Sequence, residues 1–408
     1  MQPLGQRSRA TLPRRVVLFY KRLLGPGGAE RQFVEEYKFL RDRSVTVKVL
    51  AFEVREEALF GNRVPELEVI HAEDQLGAVV RLRRSLSRFA PDVVSVHSGH
   101  MEVYAATRGL GIPYVYHHNN LISMPYYHPT DYLQASLYRT GIARIVERTT
   151  RAESHLHGNQ RYGLPKRAYI EAVALLNRAA IRGAKEIIVL SQQTAWEIEQ
   201  IYQRGSIVVR GCLDPRILQY TPRLDVKREL GLDGKIMLLS ISRLTLEKRV
   251  DLLIEAFARL RQEMGDITLV IGGKGDDEEK LKDLADGLGC GRDVRFLGFI
   301  PEGDLWDHYA ACDLFVTPAW ADFNIAPYEA LALGRKVVWS TEMEAEQWLL
   351  ASGLVFPAEP SLTALSEVMR RALKTDVDGR PDWTGYTWSR KFERVYESIW
   401  DSVGGGAG

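Results

Sequence analysis

What the sequence has little of narrows the field first. No apolar run approaches the roughly 20 residues that a helix needs to cross a bilayer, which excludes a helical membrane span. The apolar stretch at residues 16–20 is too short for the core of a secretory signal and runs straight into Lys21 and Arg22. The chain is therefore expected in the cytosol. Cysteine is scarce: Cys212, Cys290 and Cys312 are far apart and odd in number, which fits reduced, mostly buried thiols better than a disulfide framework, and no zinc-type cysteine spacing occurs. Excess charge of one sign is missing too. With 54 Lys and Arg against 53 Asp and Glu the formal net charge is +1, so there is no global field to draw nucleic acid, and the locally basic Arg7, Arg9, Arg14 and Arg15 read as a solvated tail. No solenoid repeat is visible.

What is present is ordinary globular material. At 408 residues, 45% hydrophobic and 26% charged, the chain exceeds the size at which one core keeps growing, and two domains are expected. Short β-branched runs alternate with amphipathic stretches almost throughout, the signature of parallel sheets covered by helices. One series of strands is expected at residues 15–20, 45–52, 92–96, 113–116, 186–190 and 207–209, and a second at 235–240, 267–271, 294–297, 314–317 and 336–339. Between them residues 210–234, with Pro215, Pro222 and three glycines, have the composition of a linker. The division expected is an N-terminal domain of residues 1–212, with residues 386–403 packing back on it, and a C-terminal domain of residues 213–385. Val250, Leu253, Ile254, Phe257 and Leu260 fall at helical spacing, as in a crossover helix whose stripe is core. Residues 125–182 read as irregular, rich in Tyr and Arg, and contain a basic amphipathic run at 138–148. Acceptor contacts are expected there, and that run reads either as a solvated helix or as one resting on an anionic membrane surface.

Four motifs stand where strands end and helices begin, which is where an open α/β sheet puts its ligand. Arg243 and Lys248 leave the strand at 235–240 close enough together to converge on a diphosphate, the guanidinium as a fork and the ammonium as a point charge. Exposed surface salt bridges are the plainer use of such a pair. After the strand at 314–317, Trp320-Ala-Asp-Phe-Asn-Ile-Ala-Pro-Tyr-Glu329 places Pro327 near the first turn of a helix, so that free N–H groups and the positive helix end offer an anion site. Glu329 in that turn could accept from vicinal hydroxyls or simply answer the helix dipole. Gly27 and Gly28 open a helix after the first strand, and Gly272-Gly-Lys-Gly275 follows another strand; either lets backbone approach a phosphate, or serves sterics alone. The second lacks the acidic partner of a dinucleotide fingerprint. Tyr116-His117-His118-Asn119 ends a strand, so one imidazole faces the strand's ligand side while its neighbour packs. His155 and His157 have metal-like spacing without a third ligand, and Asp376 and Asp378 sit in a polar connector.

Together these residues resemble the retaining glycosyltransferases of family four. The likeness rests on Gly27-Gly28-Ala29-Glu30, Ser242-Arg243 with Glu247-Lys248, Phe296-Leu297-Gly298, the strand ending in Val316-Thr317-Pro318, and Asp322-Phe-Asn-Ile-Ala-Pro-Tyr-Glu329. The resemblance implies an α/β fold of two Rossmann-like domains facing across a cleft, with a C-terminal helix crossing back to the first. It implies that Arg243 and Lys248 neutralise the leaving diphosphate, that Glu329 holds the ribose, and that Gly28, with Gly27, lies near donor phosphate and acceptor. His118 matches the histidine on the transferred sugar, with His117 as the alternative. Backbone around Phe299 matches the loop reading the base, and Phe323, Asn324 and Ile325 the loop under sugar and phosphates. Ala321 stands where the family has its first glutamate, so sugar contact shifts to Asp322, sugar choice changes, or activity is lost. Asn324 replaces a usual glycine, and residues 341–346 lack the glycine pair common there.

The resemblance thus implies transfer of a hexosyl group from a UDP- or GDP-sugar to an acceptor hydroxyl with retention, in glycan, glycolipid or natural-product biosynthesis. No metal and no cofactor beyond the nucleotide-sugar donor are expected. The partners expected are that donor and an acceptor that is a glycan, a lipid-linked sugar or a small molecule, with no nucleic acid and with peripheral contact at the inner membrane face as an option. Two other readings stand beside it: a catalytically silent relative that binds nucleotide sugar as a scaffold, and a sugar-nucleotide epimerase.

Overall fold

The computed structural model describes residues 12–25, 27–121, 163–377 and 379–404. Among them the chain forms two compact units, one holding residues up to 211 together with the helix that starts at Trp388, the other holding residues 212–387. The alternation in the sequence is realised as one parallel sheet in each.

The first sheet contains β1 (Arg15–Leu23), β2 (Thr46–Val54), β3 (Leu67–Val69), β4 (Val93–Val96), β5 (Tyr114–His118), β6 (Glu186–Val189) and β7 (Ile207–Val208), in the order β3-β2-β1-β4-β5-β6-β7. The second contains β8 (Ile236–Ile241), β9 (Ile267–Gly272), β10 (Val294–Gly298), β11 (Leu314–Thr317), β12 (Lys336–Ser340) and β13 (Val355–Ala358), in the order β10-β9-β8-β11-β12-β13. Helices cover both faces, so the strands read as continuous apolar runs rather than alternating ones; every residue of β4 and β11 is buried. In each sheet the strand order reverses beside its first strand, between β1 and β4 and between β8 and β11. Loops leaving the carboxyl ends of those two pairs diverge, and a crevice opens between them.

Two strands were not expected. β3 has only three residues, all half-buried, and β13 carries Pro357, which is tolerated because β13 is an edge strand. Two other readings need correction. Residues 210–234 look like a linker, yet Leu213, Ile217, Val226 and Leu232 are buried in the core of the second unit. Of the stretch 125–182, read as irregular, Leu164–Gly183 is a helix of 20 residues; residues 122–162, with the basic run at 138–148, His155 and His157, lie outside the described residues, as does Asp378. The crossover helix is Val250–Glu263, and its apolar stripe is core. No helix among the described residues is long and apolar enough to cross a membrane.

Within the first unit, the helices Gly28–Asp42 and Trp388–Gly404 enclose polar groups that water does not reach. Glu36 is fully buried; its Oε1 accepts from Ser95 Oγ and Tyr396 OH at 2.7 Å each, and its Oε2 lies 2.6 Å from His97 Nε2. Lys391 is buried as well, donating to Gln32 Oε1 at 2.7 Å and to Val209 O at 3.4 Å. Burial pushes the Glu36 carboxyl up, but His117, His97 and the Tyr396 hydroxyl outweigh it and hold it at about 2. His117 is driven down to about 3 by burial first and by His97, against the pull of Glu36.

Both depressed values act in one direction on stability. As pH falls below the ordinary imidazole value of 6.5, the unfolded chain takes up a proton that the folded chain refuses at His117, and Glu36 adds the same effect below 4.5. Stability is thus fully present above about 6.5 and is lost progressively toward the folded values. The melting temperature measured across pH 7.5 to 4.5 should fall steadily below about 6.5. In His117→Gln that slope should flatten, even though the variant melts lower at neutral pH.

Candidate active site

In the second unit, two of the expected motifs leave the strands on either side of the reversal. From β8 the chain continues through Ser242 and Arg243 into a single 3-10 turn, Leu246–Lys248. The strand exit is braced by the segment after β9: Ser242 N donates to Gly272 O at 3.0 Å and Leu244 N to Lys274 O at 2.9 Å. That crossing explains the glycines at 272–275. A Cβ on Gly273 would sit 1.7 Å from Ser242 O, one on Gly275 2.1 Å from Leu244 O, and Gly273 adopts a φ of +121°. Sterics account for this motif, and no phosphate is needed to do so.

The same turn is pinned to the exit of β11. Trp320 N donates to Glu247 O at 3.0 Å, and Arg249, buried and left-handed with φ 51°, donates from Nη1 to Pro318 O at 3.1 Å. Its guanidinium also forms an ion pair with Glu342 in which both side chains are buried. Glu342 belongs to the 341–346 stretch that departs from the family pattern, so that departure holds an anchor for the turn. Arg243 is 77% exposed and reaches Glu247 only at 3.8 Å. Lys248 is half-buried and has no ion-pair partner among the described residues. Burial lowers its pKa, Glu247 opposes that, and Arg243 lowers it further.

After β11, Asn324 takes the cap position of the helix Ile325–Ala332. Its Oδ1 accepts from Ala326 N at 3.3 Å and its Nδ2 donates to Thr317 Oγ1 at 3.4 Å. Asparagine is a good cap, which accounts for it where glycine is usual. The helix tip offers fewer donors than expected: Ala326 N–H is taken by the cap and Pro327 has none, which leaves Ile325 N–H. Pro327 is the third helical residue and Glu329 the fifth, so Glu329 lies beyond the first turn in which the sequence placed it. It is buried, and Oε1 accepts from Trp306 Nε1 at 3.4 Å. The Phe323 ring packs on Tyr328 with centroids 5.0 Å apart, and Phe323 and Ile325 both lean on the core, so only their backbone is left for a ligand. Asp322 is largely buried beside Ala321. Phe299 is exposed just beyond β10, where Gly273 N donates to Gly298 O at 2.7 Å.

In the first unit, Gly27 caps the helix Gly28–Asp42 in extended backbone, and a Cβ there would meet Glu30 Oε2 at 2.4 Å. Glu30 is held by Tyr20 OH at 2.8 Å. Gly28 has no such neighbour; a Cβ would project into open space. The two histidines separate as strand alternation requires. His117 turns inward to Ser95 and Gln32, whereas His118 Nδ1 meets Tyr116 OH at 2.9 Å, and its buried Nε2 has no partner among the described residues. Burial, then the nearby His100, push His118 down to about 3, against a hydrogen bond that the ring donates to the Asn120 backbone, so that His118 is neutral at physiological pH. Sequence reading did not single out Gln32, Glu36, His97, Arg249, Glu342 or Lys391. A charged or amide side chain on an otherwise apolar helical stripe was the available signal for Gln32, Glu36 and Lys391.

Two family models match consecutive stretches of the chain: Glycosyltransferase Family 4 over residues 26–211 and Glycosyl transferases group 1 over residues 223–386. An uncharacterised glycosyltransferase of Methanocaldococcus jannaschii is 35% identical over 194 residues, 46% of this chain and 47% of that protein. A GDP-mannose-dependent phosphatidylinositol monomannoside mannosyltransferase of Mycolicibacterium smegmatis is 34% identical over 195 residues, 43% and 51% of the two chains. The chain thus spans about half the length of these curated relatives. Among solved structures, HepE of Anabaena in complex with UDP shares the fold over 96% of both chains at a TM-score of 0.65 and 19% identity, and WaaG, a glycosyltransferase involved in lipopolysaccharide biosynthesis, over 96% of this chain and 100% of its own at 0.63 and 18%. With both halves matched by their own models on a fold of two parallel sheets, the chain belongs to glycosyltransferase family four.

Proposed function

We propose that this chain moves a hexosyl group from a UDP- or GDP-sugar to an acceptor hydroxyl with retention at the anomeric carbon. The observation that carries the reading is Lys248: a cation drawn partly out of water, in no ion pair among the described residues and opposed by Glu247 only in part, on a turn fastened beside the β8–β11 reversal. A diphosphate supplies the missing charge. Arg243, exposed and loosely held, can close on the same group as a fork. Ile325 N–H at the capped helix tip adds a neutral donor.

In the reaction the bond from the anomeric carbon to the diphosphate oxygen breaks and one from the acceptor oxygen forms on the same face. The acceptor's proton passes to the departing diphosphate. The protein's part is to stabilise negative charge as it builds on that leaving group, in a site where preorganised donors need not reorient. Glu329, oriented by Trp306, is assigned to the ribose, backbone near Phe299 to the base, and backbone at 323–325 with Asn324 to the phosphates. His118 and Asp322, which stands in for the glutamate that Ala321 replaces, are assigned to the transferred sugar, and Gly27 and Gly28 to the passage of donor and acceptor. Lipid-linked, glycan and small-molecule acceptors all remain consistent with these roles. The structural relative HepE, solved with UDP and with UDP-glucose, supports a nucleotide-sugar donor.

A thermal-shift panel of nucleotide sugars reads the donor directly, since a ligand that binds only the folded state raises its melting point. A UDP- or GDP-hexose should give the largest shift, undiminished by EDTA. Lys248→Ala should keep the fold, lose most of that shift, and lower donor hydrolysis or transfer by about 100-fold or more. Ordinary turnover in that variant would overturn the assignment. Binding without turnover on any donor, partly restored by Ala321→Glu, would identify a silent relative, and epimerised donor formed without acceptor would identify an epimerase.

Arg249 tests the mounting of the turn. Removing one partner of a buried ion pair costs about 3–5 kcal/mol. Arg249→Met should therefore melt several degrees lower and bind the donor more weakly. Arg249→Met combined with Glu342→Gln should recover part of the melting temperature, because the buried charge is gone, without recovering donor affinity.

A further inference from the structure

Glu36, His97 and His117 place three metal-ligand atoms within 4.8 Å of one another, all buried. The ring geometry argues against an ion. The two imidazoles stack with centroids 4.2 Å apart and planes 7° from parallel. Each nitrogen lone pair lies in its own ring plane, so lone pairs in two nearly parallel planes do not converge; a shared ion about 2.0–2.1 Å from each nitrogen would stand well out of both planes. Hydrogen bonds explain the cluster instead, and they run in one direction.

An ammonium can only donate. Lys391 donates to Gln32 at 2.7 Å, which fixes that end of the amide as its oxygen. The Gln32 amino group must then face His117 Nδ1 at 3.5 Å and Asn119 Oδ1 at 3.3 Å. His117 Nδ1, facing a donor, is bare, and its hydrogen sits on Nε2, 3.0 Å from Ser95 Oγ. Ser95 passes its own hydrogen to Glu36 Oε1 at 2.7 Å. The ammonium at one end, which can only donate, and the carboxylate at the other, which can only accept, thus impose the same polarity on the chain of groups between them. The lysine sets that of Asn119 as well: with Oδ1 turned to Gln32, Nδ2 is presented away from it. Asn119 Nδ2 is buried and has no partner among the described residues, the same condition as His118 Nε2 one residue earlier. A buried amide donor just past the end of β5 lacks an acceptor among the described residues.

We infer that Asn119 Nδ2 binds an oxygen of the transferred sugar, and that Lys391, acting through Gln32, is the positioning residue that makes Asn119 present its amino group rather than its carbonyl. The sugar's identity as the ligand rests on the transferase reading above; the polarity of the relay does not.

The two parts separate in the experiment. In the full chain labelled with 15N-histidine, NMR should report His117 bare at Nδ1 and protonated at Nε2. In Lys391→Met the Nδ1 resonance should move, because Gln32 is then free to turn while Ser95 and Glu36 keep the hydrogen on Nε2, and it should return in Lys391→Arg; Gln32→Leu should act like Lys391→Met and serves if the latter does not fold. His117 protonated at Nδ1 in the parent chain, or a spectrum unmoved by either variant, overturns the relay. Calorimetry with UDP and UDP-glucose, and with GDP and GDP-mannose, reads the sugar contact. Asn119→Ala should lower the affinity for the preferred nucleotide sugar relative to its own nucleotide by roughly 3- to 10-fold, the loss of one net hydrogen bond. Lys391→Met should do the same in part, and Lys391→Arg should restore it. An unchanged ratio in Asn119→Ala overturns the sugar contact. If the parent chain binds none of the four probes, the transferase reading fails and the relay is still judged by its spectrum.

Discussion

A lysine held partly out of water, its desolvation offset only in part by Glu247, is the constraint around which the second unit is arranged. Desolvating an ammonium costs free energy whenever nothing compensates it, and a flexible loop would avoid that cost by swinging Lys248 into solvent. Here the loop cannot. Its entry is crossed by backbone at Gly273 and Gly275, and its exit is tied through Glu247 O to Trp320 N and through Arg249 to Pro318 O. The buried Arg249–Glu342 pair is therefore better read as a fastening than as a gain in stability, since buried pairs seldom outperform well-packed apolar side chains. Its position immediately after Lys248 explains why a charge was retained in the core at that point.

The first unit handles buried charge in the opposite manner. Glu36 and Lys391 are each surrounded by groups that answer them, and neutral histidine, serine and glutamine side chains lie between the two. Such a network is worth having only when every member is satisfied. The exceptions are therefore informative. The unmatched atoms of His118 and Asn119 lie at the end of β5. The C-terminal helix is accordingly more than a strap across the fold. It carries Lys391, the cation at one end of this network, and a change there reaches β5 through a single amide.

Much of this was legible in the sequence because the signals were local. Strands buried on both faces must be apolar without interruption, so 314–317 or 267–271 could hardly be missed, while β3 and β13, short or broken by Pro357, carry edge-strand chemistry that resembles loop. Arg243, Lys248 and the 320–329 stretch were found because they follow strands directly. Residues 210–234 misled because proline and glycine mark turns equally well inside a core. Glu329 was set one turn too early because Pro327 was taken as the start of the helix, when the cap is Asn324. The relay was invisible for a different reason: Gln32 and Lys391 are 359 residues apart in sequence, and no spacing rule connects them. Each could still have been noticed alone, as a polar residue on an apolar stripe. Lys391 falls between Trp388 and Val395 on the buried face of its helix, and Glu36 beside Phe33 and Leu40 on another.

The two units thus offer different things to a ligand, and the difference follows from how each has dealt with its charges. The second presents net positive charge, an exposed guanidinium and a half-buried ammonium, suited to an anion and sensitive to salt at its exposed member. The first presents a neutral amide donor whose orientation is set by groups behind it, suited to an uncharged polyol, for which oriented hydrogen bonds decide fit and bulk charge decides little.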